Sequence, residues 1–363
     1  MHKVIKFCGF KIKIRLNEDD LMPLRVANRE LEVKLLKERE NFSRLMNSDP
    51  RKPKCYLLNV NIGKRFHEHE GGTSVRENIE YLLDKNGLEL VWTDVNNPVE
   101  EIDEDFFRLI MSKCDLLLIN GEGILHHNRG VNHLQKCRIA KELGKKVVLI
   151  NAVWQENSET KEYLKYFDLI SARESYSANE MKKDGALEPL VVPDMTFYNH
   201  KIEEGRSSCK NQLIFTDSVD IEVSAHLCKL AKNNNSPYFF MTTESGNFTS
   251  NIKGKQSLLK YSDISETKYI ITGRYHAACF AIMNKIPVLC VESNTYKVNG
   301  LMADAELEEH LVLKADAKSL TQDRVRDFML QNHSEFCNKA EEYSKNAVLK
   351  IENLFEKIKE IAL

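Results

Sequence analysis

The chain has 363 residues, of which 42% are hydrophobic and 29% charged, and its formal net charge is −2. This composition is typical of a soluble globular protein of about two domains. The near-zero charge excludes the strong basic field by which proteins bind nucleic acids. No apolar run approaches the roughly 18 residues that a membrane span needs, and the N-terminus has neither the apolar core nor the cleavage site of a signal peptide.

The nine cysteines are irregularly spaced and include no Cys-x-x-Cys pair. An odd and irregular set is typical of reduced thiols, so the sequence predicts a cytoplasmic protein. The clustered histidines, His67, His69, His126 and His127, lack a spacing specific for metal ligands. We therefore expect neither a metal ion nor a cofactor.

Residues 1–53 are predicted to form an N-terminal extension. Basic and apolar residues alternate over residues 1–16, and the period of two from Lys11 to Leu16 indicates a short strand. This segment is either an edge hairpin docked on the body or a basic patch that contacts the inner face of the plasma membrane. Residues 22–46 have the spacing of a charged helix, which could be an oligomer contact or an arm.

Strands alternate with helices from residue 54 to residue 198. The predicted strands are CYLLNVNIG, LELVWTD, DLLLIN, KKVVLINAV, FDLISARE and PLVVPD, with helices between them. Strands separated by helices of about 10–15 residues indicate a parallel sheet with helices on both faces. This segment is therefore predicted to be a Rossmann-like domain.

The polar stretch 199–212 is the predicted linker, after which the same alternation resumes over 213–319. Its predicted elements are strand LIFTDS, helix IEVSAHLCKLAKN, strand YFFMTTE, helix KQSLLKYSD, strand KYIITG, helix HAACFAIMN and strand IPVLCVE. Residues 320–363 are predicted to be helical and to pack back on the first domain. The fold class is thus α/β, with two doubly wound parallel-sheet domains facing a cleft.

Polar or glycine-bearing segments follow five of the predicted strands. They are NGEGILHH at 120–127, SARES at 171–175, VVPD ending at Asp194, TTE at 242–244 and TGRYHA at 272–277. Ligands of open parallel sheets bind beyond the carboxyl ends of the strands, which makes these segments the candidate site. In the last of them, Arg274 and His276 open a helix whose free N–H groups favour an anion such as phosphate or carboxylate.

In this order, the segments NGEGILHH, SARESYS, VVPDMTF and GRYHAACFAIMNKIPVLCVESNTYKVNGLM resemble the polysaccharide pyruvyl transferase family over about residues 55–310. The resemblance implies a fold similar to the two-domain glycosyltransferase-B arrangement. It also implies transfer of a pyruvyl group from phosphoenolpyruvate to sugar hydroxyls, which forms a ketal. The Gly-Arg-x-His block is its most specific part.

Carried over to this sequence, the resemblance assigns Arg274 and Arg173 to the anionic groups of the donor and His276 to an acid or anion-binding role. Ketal formation needs a general acid and a general base, which an imidazole and a carboxylate could divide. Glu122 is our candidate base, because a carboxylate stands here where the family usually has only glycines. The predicted catalytic residues are therefore Glu122, His276 and Asp194.

Glu122 would repel a trianionic donor unless it is paired or turned towards the acceptor, so a second hypothesis stays open. In it, the chain is a glycosyltransferase that uses an anionic nucleotide sugar, such as a cytidylate-linked ulosonic acid. In a third hypothesis, the chain is a non-enzymatic member that binds glycan. The predicted donor-binding residues are Arg274, Arg173, Gly273, Thr242, Glu244 and Lys297, and the predicted acceptor-binding residues are His67, His126, His127 and Asn120.

The expected partner is a glycan or a lipid-linked sugar as acceptor, with no nucleic acid. A homo-oligomer and a membrane contact through residues 1–16 both stay open. The predicted location is the cytoplasm, with or without peripheral attachment to the inner face of the plasma membrane.

Overall fold

The computed structural model describes residues 2–7, 10–15, 32, 35–60, 69–95, 103–198, 209–242 and 257–363. They belong to two compact units, 1–48 and 49–363. In the first unit, strands β1 (His2–Phe7) and β2 (Phe10–Arg15) pair antiparallel, and residues 35–46 form helix α1. The strand predicted for residues 11–16 is thus present as half of a hairpin.

The second unit contains two parallel six-stranded sheets. The strands of the first sheet are β3 (Lys54–Val60), β4 (Glu89–Val95), β5 (Leu116–Asn120), β6 (Lys146–Ala152), β7 (Leu169–Ala172) and β8 (Leu190–Val191). Their order is β4-β3-β5-β6-β7-β8, with every pair parallel. The carboxyl ends of all six strands therefore meet at one edge.

Four α-helices connect these strands. They are α2 (Glu70–Lys85), α3 (Glu104–Met111), α4 (Val131–Glu142) and α5 (Ser175–Lys183), with short 3-10 helices at Lys161–Tyr166 and Met195–Tyr198. Helix α2 starts at a cap in which the Nδ1 atom of His69 accepts a hydrogen bond from the Gly72 amide at 2.9 Å. The carboxylate of Glu174 caps α5 by accepting from the Ser177 amide.

The second sheet has the order β11-β10-β9-β12-β13-β14, again with every pair parallel. Its strands are β9 (Leu213–Ser218), β10 (Tyr238–Phe240), β11 (Ser257–Leu258), β12 (Tyr269–Gly273), β13 (Val288–Val291) and β14 (Leu311–Val312). Two sheets of this kind confirm the predicted fold class.

Helices α6 (Ile221–Asn233), α7 (Tyr261–Ser265), α8 (Tyr275–Met283) and α9 (Lys297–Asp304) connect the second sheet. Short 3-10 helices lie at Glu308–His310 and Lys314–Ser319. The chain ends in α10 (Gln322–Leu330) and the 29-residue α11 (Ser334–Ala362).

The helix predicted for KQSLLKYSD is wrong at residues 257–260, and residues 255 and 256 lie outside the described residues. Residues 257 and 258 form strand β11 and pair with Phe239 and Phe240 of β10, and only residues from Tyr261 onwards are helical. Pairing with the open edge of β10 overrides the local helical preference, which is a weak determinant over so few residues.

One hydrophobic cluster runs through both sheets. It includes Leu57 and Leu118 from the first sheet, Ile270 and Val288 from the second, and Leu354 from α11. Burial of this kind stabilises by about 25 cal/mol per Å² of apolar surface removed from water. The second unit thus has two halves, one built on each six-stranded sheet, and the two halves share their core.

Helix α11 lies against elements of both sheets. Near its start, the Phe336 ring packs against His310 with centroids 4.9 Å apart. Further along, Glu352 accepts a hydrogen bond from Lys85 Nζ of α2 at 2.7 Å. No α-helix among the described residues is long and apolar enough to cross a membrane, and the eight cysteines described are all free thiols.

Candidate active site

The site lies where the turn after β5 meets the start of α8. The Nε2 atom of His276, on α8, is 3.1 Å from Oε1 of Glu122, which follows β5. The same nitrogen is 3.8 Å from Oδ2 of Asp194, which follows β8. One imidazole from the second sheet therefore stands between two carboxylates from the first, and the structure brings all three predicted catalytic residues together.

Close packing from the first sheet's side fixes the position of His276. A Cβ atom on Gly71 of α2 would lie 2.2 Å from the His276 ring, so only glycine fits there. The ring of His69 contacts that of His276 edge to face, with centroids 5.3 Å apart. Burial, together with the charge of His276, lowers the pKa of His69 to about 4, so His69 is neutral at physiological pH.

Asp194 and Arg173 form a buried ion pair beneath the imidazole. Arg173 Nη1 lies 3.0 Å from Asp194 Oδ2, and their side chains are 2% and 0% exposed. The Arg173 guanidinium also lies 4.0 Å from the centre of the Tyr275 ring. Asp194 Oδ1 accepts the Thr196 amide at 3.0 Å. Arg173 is thus held by contacts within the protein and has almost no exposed surface of its own.

Arg274 is more accessible. Its Nη2 atom pairs with Asp217 Oδ2, and its side chain is 15% exposed. Gly273, just before it, is where β12 approaches β9 closely, because an added Cβ would lie 2.4 Å from that of Ser218. Glycine at this position lets the two strand ends converge and bring Arg274 to the sheet edge.

Lys297, the first residue of α9, is half-buried at the same edge. Its Nζ atom donates to Asn294 Oδ1 at 3.0 Å, a neutral partner. Burial and the positive charges of Arg173 and Arg274 lower the pKa of Lys297 to about 7, and Glu122 partly opposes this shift. An incoming anion would restore its proton.

Glu122 is held as a carboxylate. Burial acts to raise its pKa, but the close contact with His276 and the charge of Arg173 outweigh burial and hold the pKa of Glu122 below its usual range. The carboxylate can therefore orient the imidazole and stabilise its protonated form. Glu122 would accept a proton itself only if the positive charge around it decreased.

The residues predicted to bind the acceptor differ in how far their side chains are exposed to solvent. Asn120 is 2% exposed, and its side chain bonds to Asn59, Glu122 and Asn151. His126 is buried with its Nδ1 atom 2.8 Å from that of His127, and burial lowers the pKa of His126 to about 4. His127 is exposed and lies 3.2 Å from Glu156. Of these three side chains, only that of His127 faces solvent.

Thr242 forms an isolated antiparallel bridge with His69, so it joins the two halves beside the site. The predicted residues Glu244 and His67 lie outside the described residues, as does most of the predicted linker, residues 199–208. Within the described part of the chain, no group of three His, Cys, Asp or Glu side chains could hold a metal ion.

Several residues of the site were not predicted as part of it. They are Asn59, Asn151, Gly71, Tyr275 and Asp217, all buried near the strand ends. Two of them carried a usable signal: Asn59 and Asn151 lie within the predicted strands CYLLNVNIG and KKVVLINAV, where a polar residue interrupts an apolar run. The others are recognisable only from contacts between distant segments.

Two solved structures are similar to this chain in fold. A protein assigned as a UDP-N-acetylglucosamine 2-epimerase from Listeria monocytogenes superposes with a TM-score of 0.53 at 10% identity, covering 84% of this chain and 97% of that one. The UDP-GlcNAc 2-epimerase of Methanocaldococcus jannaschii, solved with UDP-GlcNAc and UDP, gives 0.51 at 12% identity, covering 77% and 94%. Likeness at these identities establishes the glycosyltransferase-B-like fold and nothing more.

A search of curated proteins with the sequence returns no match. The sequence does match the family Polysaccharide pyruvyl transferase over residues 74–295, which is more than half of the chain. That span runs from α2 to the segment before α9 and contains Glu122, Asp194 and His276. The resemblance stated from the motifs is therefore confirmed: the chain belongs to the polysaccharide pyruvyl transferase family and is a transferase with a sugar acceptor.

Proposed function

We propose that the protein transfers a pyruvyl group from phosphoenolpyruvate to two hydroxyls of one sugar residue, forming a ketal and releasing phosphate. The observation that carries this proposal is His276 standing between Glu122 and Asp194, with cationic side chains around it. A protonatable group flanked by carboxylates is what an enol donor needs, because its methylene carbon must receive a proton.

Lys297 and Arg274 are the groups proposed to bind the donor. Phosphoenolpyruvate carries a carboxylate and a phosphate, and charge-assisted hydrogen bonds to cations are the strong way to hold both. Lys297 donates to a neutral side chain, and Arg274 presents 15% of its side chain to solvent. Arg173 is 2% exposed, so its proposed role is to position Asp194 and Tyr275 beneath the donor.

The proposed reaction balances without an added proton donor. His276 gives its proton to the methylene carbon, which becomes a methyl group, and the adjacent carbon becomes electrophilic. The first sugar hydroxyl attacks that carbon and returns a proton to the imidazole–carboxylate pair. Phosphate then leaves with the C–O bonding electrons, and the second hydroxyl attacks and closes the ketal. Of the two hydroxyl protons, one replaces that given to the methyl group and the other ends on phosphate.

Glu122 is proposed to orient His276 and to stabilise its positive charge. Its lowered pKa makes it a weak base on its own, but paired with the imidazole it can share the hydroxyl proton. Asp194 lies 3.8 Å from the same ring nitrogen and adds a second negative charge beside it. As in other imidazole–carboxylate pairs, the carboxylate of Glu122 is proposed to fix the tautomer and orientation of the His276 imidazole.

The test is to incubate the purified protein with phosphoenolpyruvate and a panel of glycan and lipid-linked sugar acceptors. Phosphate release that depends on the acceptor, together with a ketal methyl signal by NMR on the product, is the expected result. A parallel panel of nucleotide sugars, including a cytidylate-linked ulosonic acid, tests the glycosyltransferase alternative. Nucleotide release with no phosphate release would overturn the proposal. The exposed Lys318→Ala variant serves as a control that should behave like wild type.

A further inference from the structure

Three buried asparagines lie at or next to the carboxyl ends of adjacent strands of the first sheet. Asn59 is in β3, Asn120 ends β5 and Asn151 is in β6, and their exposures are 4%, 2% and 0%. These strands are neighbours in the order β3-β5-β6. Buried amides cost free energy unless their donors and acceptors are all used, so such a row needs an explanation.

The three side chains form one continuous hydrogen-bonded ladder. Asn151 Nδ2 donates to Asn120 Oδ1 at 3.1 Å, and Asn120 Nδ2 donates to the Asn59 carbonyl at 3.1 Å. Asn59 Nδ2 donates back to the Asn120 carbonyl and, at 3.3 Å, to the carbonyl of Glu122. At its far end, Asn151 Oδ1 accepts the Met195 amide at 3.3 Å.

The ladder reaches the Glu122 carboxylate and, at its other end, the backbone amide of the residue that follows Asp194. Asn120 Nδ2 also donates to Oε2 of Glu122 at 3.2 Å, while Oε1 of the same carboxylate faces His276 at 3.1 Å. Met195, held by Asn151, directly follows Asp194. The amide therefore occupies one oxygen of Glu122 and leaves the other for the imidazole.

We propose that Asn120, supported by Asn59 and Asn151, is a positioning residue that turns the Glu122 carboxylate towards His276. This assigns Asn120 a role different from the acceptor contact expected from the sequence. An amide suits the position, because it donates to Glu122 and accepts from Asn151 at once without adding a charge. Asn59 and Asn151 also have positive φ, 63° and 56°, a conformation that asparagine tolerates better than most residues.

This inference rests on the proposed function for its kinetic test. The Asn120→Asp variant keeps the shape but loses the donor, and Asn151→Gly keeps the backbone freedom but loses the side chain. We expect each to lower kcat by about 10- to 100-fold with KM for phosphoenolpyruvate changed less than about three-fold. Asn235→Gly, at another positive φ (50°) after α6, is the matched control and should retain activity.

A double-mutant cycle separates positioning from general damage. In a Glu122→Gln background, Asn120→Asp should cost little further activity, because the carboxylate that it orients is already gone. Losses that simply multiply would overturn the inference. A second measurement does not depend on turnover: in a crystal structure of the Asn120→Asp variant, Glu122 Oε1 should lie beyond about 4 Å from His276 Nε2.

A retained 3.1 Å contact in that variant would overturn the inference whatever the enzyme's reaction proves to be. Conversely, if the wild-type protein does not turn over phosphoenolpyruvate, the proposed function fails, and the crystallographic comparison still decides whether Asn120 positions Glu122.

Discussion

His276 and Glu122 meet at 3.1 Å although one begins a helix of the second sheet and the other follows a strand of the first. Neither sheet alone contains the pair. The proposed proton-transfer centre therefore exists only when the two halves are closed on each other, so any change that separates them should abolish turnover without removing a catalytic side chain.

The first prediction concerns that pair. We expect His276→Gln and Glu122→Gln each to lower kcat by at least about 100-fold, because each removes a group acting on charge that develops in the transition state. The double variant should be barely worse than the poorer single variant, since the two side chains act as a unit. Steady-state kinetics of phosphate release measures this, and fully multiplicative losses would show that the two residues act separately.

Gly71 offers a test of geometry without a change of chemistry. A methyl group at this position would lie 2.2 Å from the His276 ring, so Gly71→Ala must displace the imidazole. A displacement of about 1 Å costs on the order of 100-fold in rate. The control is Glu77→Ala, which changes an exposed residue of the same helix. Near-normal kcat in Gly71→Ala would mean that the position of His276 is not limiting.

Lys297 should make donor binding depend on pH. Because its pKa is lowered to about 7, it carries its charge below that pH and loses it above. We expect the dissociation constant of phosphoenolpyruvate to rise by up to about ten-fold per pH unit above pH 7, since binding then requires proton uptake. Isothermal titration calorimetry in two buffers of different ionisation enthalpy measures both effects.

Lys297→Arg is the matched variant for that experiment. Arginine stays charged throughout this range, so the affinity of the variant should be nearly constant between pH 7 and pH 9. A wild-type protein with equally flat affinity would show that Lys297 does not contact the donor.

The buried pair of Arg173 and Asp194 predicts an asymmetric loss of stability. Asp194→Ala leaves a buried guanidinium without its carboxylate, which costs about 3–5 kcal/mol. Replacing both residues, as in Arg173→Met with Asp194→Ala, should cost less than the sum of the two single changes. Urea unfolding of the four proteins measures the free energies. Additive costs would indicate that the ion pair contributes nothing as a pair.

Glu174 predicts a pH dependence of stability of the opposite sign to that of most carboxylates. Its side chain is fully buried beside Gly300, and burial raises its pKa to about 7. The folded state thus binds the proton more tightly than the unfolded state, so this contribution to stability is complete below the usual carboxyl pKa and is lost as pH rises towards 7. The loss is on the order of 1–3 kcal/mol.

Glu174→Gln should therefore raise the unfolding temperature more at pH 8 than at pH 5. The amide oxygen can still accept the Ser177 N–H that caps α5, and no charge has to be buried at the higher pH. Differential scanning fluorimetry at the two pH values measures the difference, and an equal effect at both would show that Glu174 stays ionised across the range.

The architecture could be predicted because it depends on local patterns. Apolar strands, helices of regular length and turn residues between them indicate two parallel sheets, and parallel sheets place their sites at the strand ends. The segments that carry Glu122, Asp194 and His276 are predicted in this way, whereas the role of His276 follows from the resemblance to the family. The edge strand at residues 257 and 258 was missed because its pairing partner, not its own sequence, determines it.

The contacts that make the site specific could not be predicted in the same way. Nothing local marks Gly71 as the residue against which His276 packs, or Asp217 as the partner of Arg274. Asn120 was expected to face the acceptor, yet the ladder from Asn59 to Asn151 uses every polar atom of its side chain. Such relationships arise from the meeting of distant segments, which periodicity does not encode.

The contacts of helix α11 determine how the protein tolerates truncation at its C-terminus. Its first turns lie by His310 and its later turns by Lys85 and Tyr198, so the later turns of α11 support the half built on strands β3 to β8. Truncation within this helix should therefore destabilise residues that are distant from it in the sequence. We expect the loss of a few terminal turns to loosen the half that carries Glu122 and to leave the half that carries His276 nearly untouched.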